Sequence, residues 1–444
     1  MTYEQFKERC LKYAIEKGCD AAEVYAMGNN GFAVSVLEGE IIRYEVSNEG
    51  GLNLRVLYDG KNGYAYTELF EDPETLVEHA IDNAKAIDST DVNPMQGGGS
   101  EYPSIDKTPN PIVHMTEDEK INIALNLERD TKAFDDRVNR MADCAVMTGV
   151  MHTYIANTRG LDVKSENEIS YAIAAPILRQ GDDEHMSYSF KFGHDITDYN
   201  SIIKESVDNA LMQFNAKTVD SGEYRILIRN DAASSLLMAF SGMFSADSVQ
   251  KGLSLLAGQL NKPIASEVVS IVDDPLEKDF PRAFDAEGVP SVATTVIENG
   301  VLKSYLHNLR TALKDGVSST SNASRRTPAS PVDIAPSNFY IVKGEKSFDE
   351  LVAELDKGLI ITDFSGLHAG INPVSGDFSL IAKGLLVDGG SVIRSVDQIT
   401  CAGNFLQMIK DIIAVGSDLR FGPPMGSRVG TPSLLIEKLV VSGK

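Results

Sequence analysis

Apolar residues in the first half of the chain switch between helical and alternating spacing, and the switches predict helices and hairpins in turn. Over residues 4–17, Phe6, Leu11, Ala14 and Ile15 recur near helical spacing, which predicts an amphipathic opening helix ended by Gly18. Short runs rich in Val, Ile, Leu and Tyr follow at 22–26, 32–37, 41–46, 52–58 and 63–67, and the NNG, EGE, NEGG and DGKNG clusters between them read as turns. DPETLVEHAIDNAKAI returns to helical spacing, with Asp72 as N-cap and Pro73 in the first turn.

Residues 93–111, with MQGGGSEYPS and TPNP, have no periodicity and many breakers, and read as a loop or linker. From 116 to 134 the pattern is amphipathic again, and TEDE supplies a capping box from Thr116 to Glu119. Strands are predicted at 144–156, 161–165, 169–178 and 186–193, then a helix at 198–214. Beyond it few helices are expected, the one that matters most at 231–243, among strands at EYRILIRN, VVSIVDD, FYIVKG, GLIITDFSG, SLIAKGLLVDGGSVIRSV and SLLIEKLVVSG. TTVIENGVLKSYL contains Asn299-Gly300, the strongest short hairpin signal.

The resulting fold class is α+β: repeated antiparallel hairpin-plus-helix units, then a large, mainly antiparallel, β-rich C-terminal domain. The expected divisions are an N-terminal α+β domain (1–92), a linker (93–115), a central α+β domain (116–218) and the C-terminal domain (219–444). SNEGGLNLRV (47–56) parallels ANTRGLDVKS (156–165), with Asn48/Asn157, Gly51/Gly160, Leu52/Leu161 and Arg55/Lys164 in register. Each copy is followed by a helix carrying apolar-Asp-Asn-Ala, at 81–84 and 207–210, with the QGDDEH loop (180–185) absorbing the extra residues of the second. Two unrelated hairpin-helix units with common turn chemistry are the plainer alternative.

Composition narrows the functional classes. With 444 residues, 43% of them apolar and no Trp, the chain can build two or three cores. Apolar runs such as 381–387 are broken by Lys383 and Gly384, well short of the roughly 18 residues a membrane span needs. The start, MTYEQFKERC, is charged from its fourth residue and offers no apolar signal core, so a cytoplasmic protein without a membrane partner is expected. A net charge of -23 repels phosphate backbones, and the densest basic cluster, Arg325-Arg326, is only a pair, so no nucleic-acid partner is expected. Cys10, Cys19, Cys144 and Cys401 show no CxxC spacing and read as plain thiols, with no disulfide expected between Cys10 and Cys19.

Candidate chemistry gathers in residues 366–380, GLHAGINPVSGDFSL. In one reading Gly366, Gly370 and Gly376 let the backbone approach a ligand, while His368, Asn372, Ser375 and Asp377 contact and orient it. In the other the segment is a tight loop, with Pro373 fixing a turn and Asp377 bonding nearby amides. A peptide added to a sheet edge would fit both. No GxSxG elbow surrounds Ser375, so it reads as a turn residue rather than a nucleophile. No two of His79, His114, His152, His185, His194, His307 and His368 stand at the i, i+4 spacing of a helical zinc pair, and no phosphate-binding glycine pattern occurs.

Residues 366–380 closely resemble the most recognisable stretch of the TldD/PmbA family, once called modulators of DNA gyrase and better described as two-subunit metalloproteases of the cytoplasm. The resemblance continues, in order, through 245–265, 273–290, 321–331 and 399–419. In the catalytic branch a HExxxH motif supplies two zinc ligands and a general base; here those positions are Leu237, Met238 and Gly242. None offers the imidazole or carboxylate that zinc and proton abstraction require. The family's third ligand is a cysteine after a VGND-like block, yet residues 419–432, after VGSD at 415–418, contain none.

The resemblance therefore implies the metal-free TldE/PmbA branch, with no catalytic residue, metal or cofactor in this chain. It also implies a zinc-bearing TldD-like partner in a heterodimer, or a homodimer, acting on unfolded peptides. Two rivals stand beside it: a stand-alone homodimeric peptide-binding protein, and a zinc-independent hydrolase using His307, His368, Asp363 or Asp377.

Overall fold

A computed structural model describes residues 1–88, 93–105, 108–424 and 426–444. The expected boundary at residue 92 and linker positions 106 and 107 lie outside the described residues. Two compact units are present: Met1–Leu211 with Arg282–Ser291 and Ala323–Asp333, and Met212–Pro281 with Val292–Asn322 and Ile334–Lys444.

In the first unit, Thr2 and Gln5 form a capping box that starts α1 (Tyr3–Glu16), and Gly18, at φ 86°, follows its end. The chain continues through β1 (Ala21–Leu37), β2 (Glu40–Tyr58), β3 (Lys61–Thr67) and α2 (Pro73–Ala86), whose N-cap is Asp72. A second helix-hairpin-helix set comprises α3 (Glu117–Phe134), β4 (Val138–Asn157), β5 (Asp162–Gln180), β6 (Asp183–Met186), β7 (Ser189–Phe192) and α4 (Asn200–Leu211). The strands form one antiparallel sheet in the order β3-β2-β1-β4-β5-β6, with β7 also on β5.

Three expectations are corrected here. The NNG and NEGG clusters are not turns: each lies inside a long strand, and they pair with one another, Gly28 opposite Gly50 and Gly31 opposite Ser47. Close approach is the reason, because a Cβ on Gly50 would stand 3.3 Å from the Gly28 Cα. The run at 186–193 is two short strands rather than one.

The two helix-hairpin-helix sets share an element order, but the two paralleled segments do not occupy the same place in it. Residues 47–56 lie within β2, whereas 156–165 span the turn from β4 into β5. It is β5 as a whole, 19 residues like β2, that occupies the equivalent place. Ile81 and Ala84 of α2 and Val207 and Ala210 of α4 are all buried.

The second unit opens with β8 (Gly222–Ile228), α5 (Asn230–Phe240), a 3₁₀ turn (Ser241–Phe244) and α6 (Ala246–Gln250). Next come β9 (Ile271–Asp273), β10 (Thr294–Glu298), β11 (Val301–Leu302) and α7 (Leu309–Asp315). Asn299 and Gly300, at φ 46° and 81°, form the expected hairpin turn. In chain order a short ribbon, β12 (Ala323–Ser324) with β13 (Asp333–Ile334), counted with the first unit up to Asp333, precedes β14 (Asn338–Ile341), α8 (Phe348–Leu355) and β15 (Gly358–Ser365) of the second. The remainder is β16 (Asp377–Asp388), β17 (Ser391–Asn404), α9 (Phe405–Lys410), β18 (Ile412–Val415), β19 (Arg420–Phe421), β20 (Arg428–Thr431) and β21 (Leu434–Ser442).

One six-stranded sheet runs β17-β16-β15-β8-β21-β18, and β17 pairs again with β21, so that five of its strands close on themselves. A second runs β11-β10-β9-β14-β20-β19. Pairing is antiparallel except for β15 with β8 and β14 with β20. Helix α5 joins the core that includes Ile226, Ile361, Phe339 and Val429, burying Leu236, Leu237 and Phe240. No helix among the described residues is long and apolar enough to cross a membrane.

Candidate functional site

Residues 366–376 connect β15 to β16, and their polar groups are spent largely on the loop itself. Gly366 (φ 85°) and Gly376 (φ 80°) hold backbone that other residues rarely adopt. The Asn372 Oδ1 accepts from the amides of Val374 (3.0 Å) and Ser375 (3.2 Å), an Asx turn around Pro373. Ser375 donates its hydroxyl to Asp377 (2.7 Å), and the Asn404 amide donates to Asp377 (2.9 Å) and to the Ser375 carbonyl (2.8 Å). Asn404 and Ser375 hold the Asp377 carboxyl below the usual carboxylate range. His368 is exposed, and no described side chain hydrogen-bonds to it.

Asn404 carries a second duty that the sequence did not reveal. Its Oδ1 accepts from the amides of Leu406 and Gln407, capping α9. The loop is thus tied to the start of α9, and the Phe405 amide completes the tie by donating to the Gly376 carbonyl (2.7 Å). Below it, Phe240 of α5 stacks on Phe405 at 4.7 Å between centroids and meets Phe378 edge-on at 6.4 Å. The candidate loop and α5 therefore share one hydrophobic floor.

Leu237, Met238 and Gly242 lie at the end of α5 and in the 3₁₀ turn after it. Leu237 is buried in the core and Met238 packs partly against it, while Gly242 is exposed with open space around its Cα. Nearby, the start of α5 is bolted to the segment after VGSD. The Asp418 carboxylate accepts from Ser433 Oγ (2.7 Å), the Ser433 amide (2.9 Å) and Asn230 Nδ2 (3.2 Å), and Ser234 Oγ accepts from the Thr431 amide (2.9 Å). These neutral donors satisfy a part-buried carboxylate, which is a structural use. Asp418, Asn230 and Ser433 could be seen beforehand only as polar residues near strand ends.

Zinc is the metal a family resemblance implies, and these residues do not suit it. Leucine and glycine offer no donor, and a thioether is too soft and weakly basic to replace imidazole or carboxylate. Among the described residues no group of three or more His, Cys, Asp or Glu side chains could hold a metal ion. Cys401 is fully buried, and burial pushes its thiol up to about 12, away from the thiolate a metal binds. All four cysteines are free and buried.

No hydrogen bond or ion pair among the described residues joins the side chains of the hydrolase alternative to one another. His307 is 4% exposed, and burial pushes its imidazole below the ordinary value. Asp363 is exposed and accepts from Ser365, while Asp377 is fixed by Asn404 and Ser375. Of the basic pair, Arg325 is buried over the Tyr25 ring (4.7 Å), which leaves Arg326 alone exposed.

Comparison with known proteins agrees along the whole chain. It matches PmbA/TldA metallopeptidase domain 1 over residues 22–84, the central domain over 110–214 and the C-terminal domain over 221–443. The Metalloprotease PmbA homolog of Haemophilus influenzae is 25% identical, covering 99% of this chain and 97% of that one. A Metalloprotease TldD homolog of Buchnera aphidicola is 24% identical over 92% and 90%, so identity alone does not sort the branches. Among solved structures, a proposed modulator of a DNA gyrase from Thermotoga maritima superposes with TM-score 0.91 at 33% identity, covering 99% of this chain and 100% of that one. TldE from Thermococcus kodakarensis reaches the same TM-score at 23% identity, with coverage of 99% and 100%, and shows the shared fold.

Proposed function

This chain belongs to the PmbA/TldD metallopeptidase family, and we propose that within it the chain is a TldE/PmbA-like subunit that supports peptide processing without a zinc site of its own. The observation that carries the reading is the chemistry of Leu237, Met238 and Gly242: a buried aliphatic, a thioether and a bare backbone stand where the resemblance assigns two ligands and a base. Zinc and its activated water then come from a TldD-like partner, and this chain's contribution is to hold substrate.

In this proposal the loop of residues 366–376 supplies the peptide contact. Gly366, Gly370 and Gly376 allow close backbone approach; His368 is the exposed imidazole free to meet a substrate carbonyl or carboxylate. Asn372, Ser375 and Asp377 hold the loop's shape, as their hydrogen bonds indicate. Unfolded peptides suit such a surface because backbone recognition tolerates many sequences. The cytoplasm and a heterodimer belong to the same proposal.

The test is affinity capture of the purified chain with a HExxxH-bearing relative from the same organism, followed by metal analysis of each species. A stable complex with zinc only in the relative is expected. Stoichiometric zinc in this chain alone would overturn the reading.

A further inference from the structure

Five cationic side chains are buried among the described residues: Lys7, Arg55, Lys120, Arg325 and Arg428. Three have a carboxylate: Lys7 pairs with Glu4 and Asp162, Arg55 with Glu23, and Arg428 with Glu277. Lys120 and Arg325 have none, an arrangement that buried charges almost never keep. Lys120 donates to the Val113 carbonyl (2.9 Å), and burial holds its amine below the ordinary value, so this side chain can relieve the cost by giving up its proton. An arginine cannot, because its guanidinium stays charged throughout the physiological range.

Arg325 follows β12 in the first unit and is 8% exposed. One face lies over the Tyr25 ring, Nη1 donates to the Ser330 carbonyl at 3.2 Å, and Nε is buried without a hydrogen bond. Glu23 is the carboxylate whose charge reaches it, but that group is already spent on Arg55 and Asn157, and Arg55 itself repels Arg325. The Ser330 carbonyl is a long, neutral partner on the connection from β12 to β13, where Arg326, Thr327, Ala329 and Pro331 are all exposed. A planar fork with a buried, unused donor and a replaceable carbonyl on its edge fits one ligand chemistry, a carboxylate accepting two parallel N–H bonds. We infer that Arg325 is a carboxylate-recognition residue, on which the C-terminus or an acidic side chain of an unfolded peptide takes the place of the Ser330 carbonyl. The inference rests on the reading that this chain holds peptides, and adds which part of the peptide it selects.

Fluorescence anisotropy of the full chain with an N-terminally labelled, unstructured peptide of Gly, Ser and Ala provides the test. The peptide is used with a free C-terminal carboxylate, with a C-terminal amide, and as the amide with one internal Glu. At least one carboxylate form should bind about tenfold more tightly than the plain amide, although a net charge of -23 favours the opposite order. Which of the two does so separates the terminus from the side chain as the source. Arg325→Met keeps the apolar stem and should abolish the preference while melting no lower than wild type, because it removes an unpaired buried charge. Equal binding of all three forms, a preference that survives in Arg325→Met, or a loss of preference accompanied by a large fall in melting temperature would overturn the proposal and leave the peptide-holding reading intact. Binding of none of the three would overturn both.

Discussion

Glu23 and Arg55 face each other across β1 and β2 at 3.1 Å, each side chain only 3% exposed. Asn157 donates to the Glu23 carboxylate (3.1 Å) and Arg55 to the Pro94 carbonyl (3.1 Å), so the pair also fastens β4 and the segment after α2. Breaking such a pair strands a buried charge, whereas replacing both partners removes the desolvation cost as well. Arg55→Met or Glu23→Leu should each cost about 3–5 kcal/mol, and the double variant should recover much of that loss. Urea unfolding of all four proteins checks this; additive single losses would contradict it.

Asn404 offers a pH-resolved test of the loop's architecture. Asn404→Ala removes the cap of α9, worth about 1 kcal/mol, together with the donor to Asp377. A carboxylate held below its ordinary pKa adds stability that is present above the unfolded value and lost as pH falls through the folded one. The gap between wild type and variant should therefore be largest near neutral pH and shrink in acid towards the capping part alone. NMR titration of Asp377 in the variant should move up towards the ordinary carboxylate range.

Contact and scaffold roles in the loop separate through two substitutions. His368→Ala, at an exposed side chain, should leave the melting temperature unchanged while weakening binding of an unfolded peptide severalfold. Gly370→Ala should destabilise, because its Cβ would stand 2.4 Å from the Ser379 carbonyl oxygen. Fluorescence anisotropy with a labelled peptide, beside thermal melts, distinguishes them; unchanged peptide binding in His368→Ala would remove that residue from the proposed contact.

Much of the fold was legible because local signals and tertiary use agree. Thr116 with Glu119, Asp72 before Pro73 and Asn299-Gly300 each carry their own partner within a few residues. The clusters at 28–31 and 48–51 misled because their glycines serve cross-strand packing, which short-range turn chemistry cannot reveal. Helix α8 carries a readable signal in Ser347 and Glu350, a capping box set among strong strand patterns. At the candidate site the loop residues stood out, but not Asn404, 27 positions beyond Asp377, which fixes their shape.

The positions that the resemblance assigns to the zinc motif invite reconstruction, and the packing argues against it. Leu237→His with Met238→Glu and Gly242→His puts an imidazole into a position that is 2% exposed, at a cost of about 2–5 kcal/mol from the lost leucine alone. The cysteine that the resemblance implies as third ligand has no counterpart in residues 419–432. The triple variant should melt lower and retain no stoichiometric zinc after dialysis. Tight zinc would show that this chain supplies a third ligand from another position.

The central claim is that this chain supports proteolysis without performing it. The most direct measurement is cleavage of an unfolded peptide by the purified chain, by a HExxxH-bearing relative, and by the two co-expressed, each with and without a zinc chelator. Cleavage by the co-expressed pair, abolished by the chelator and absent from this chain alone, is the predicted result. Cleavage by this chain alone, chelated or not, would contradict it.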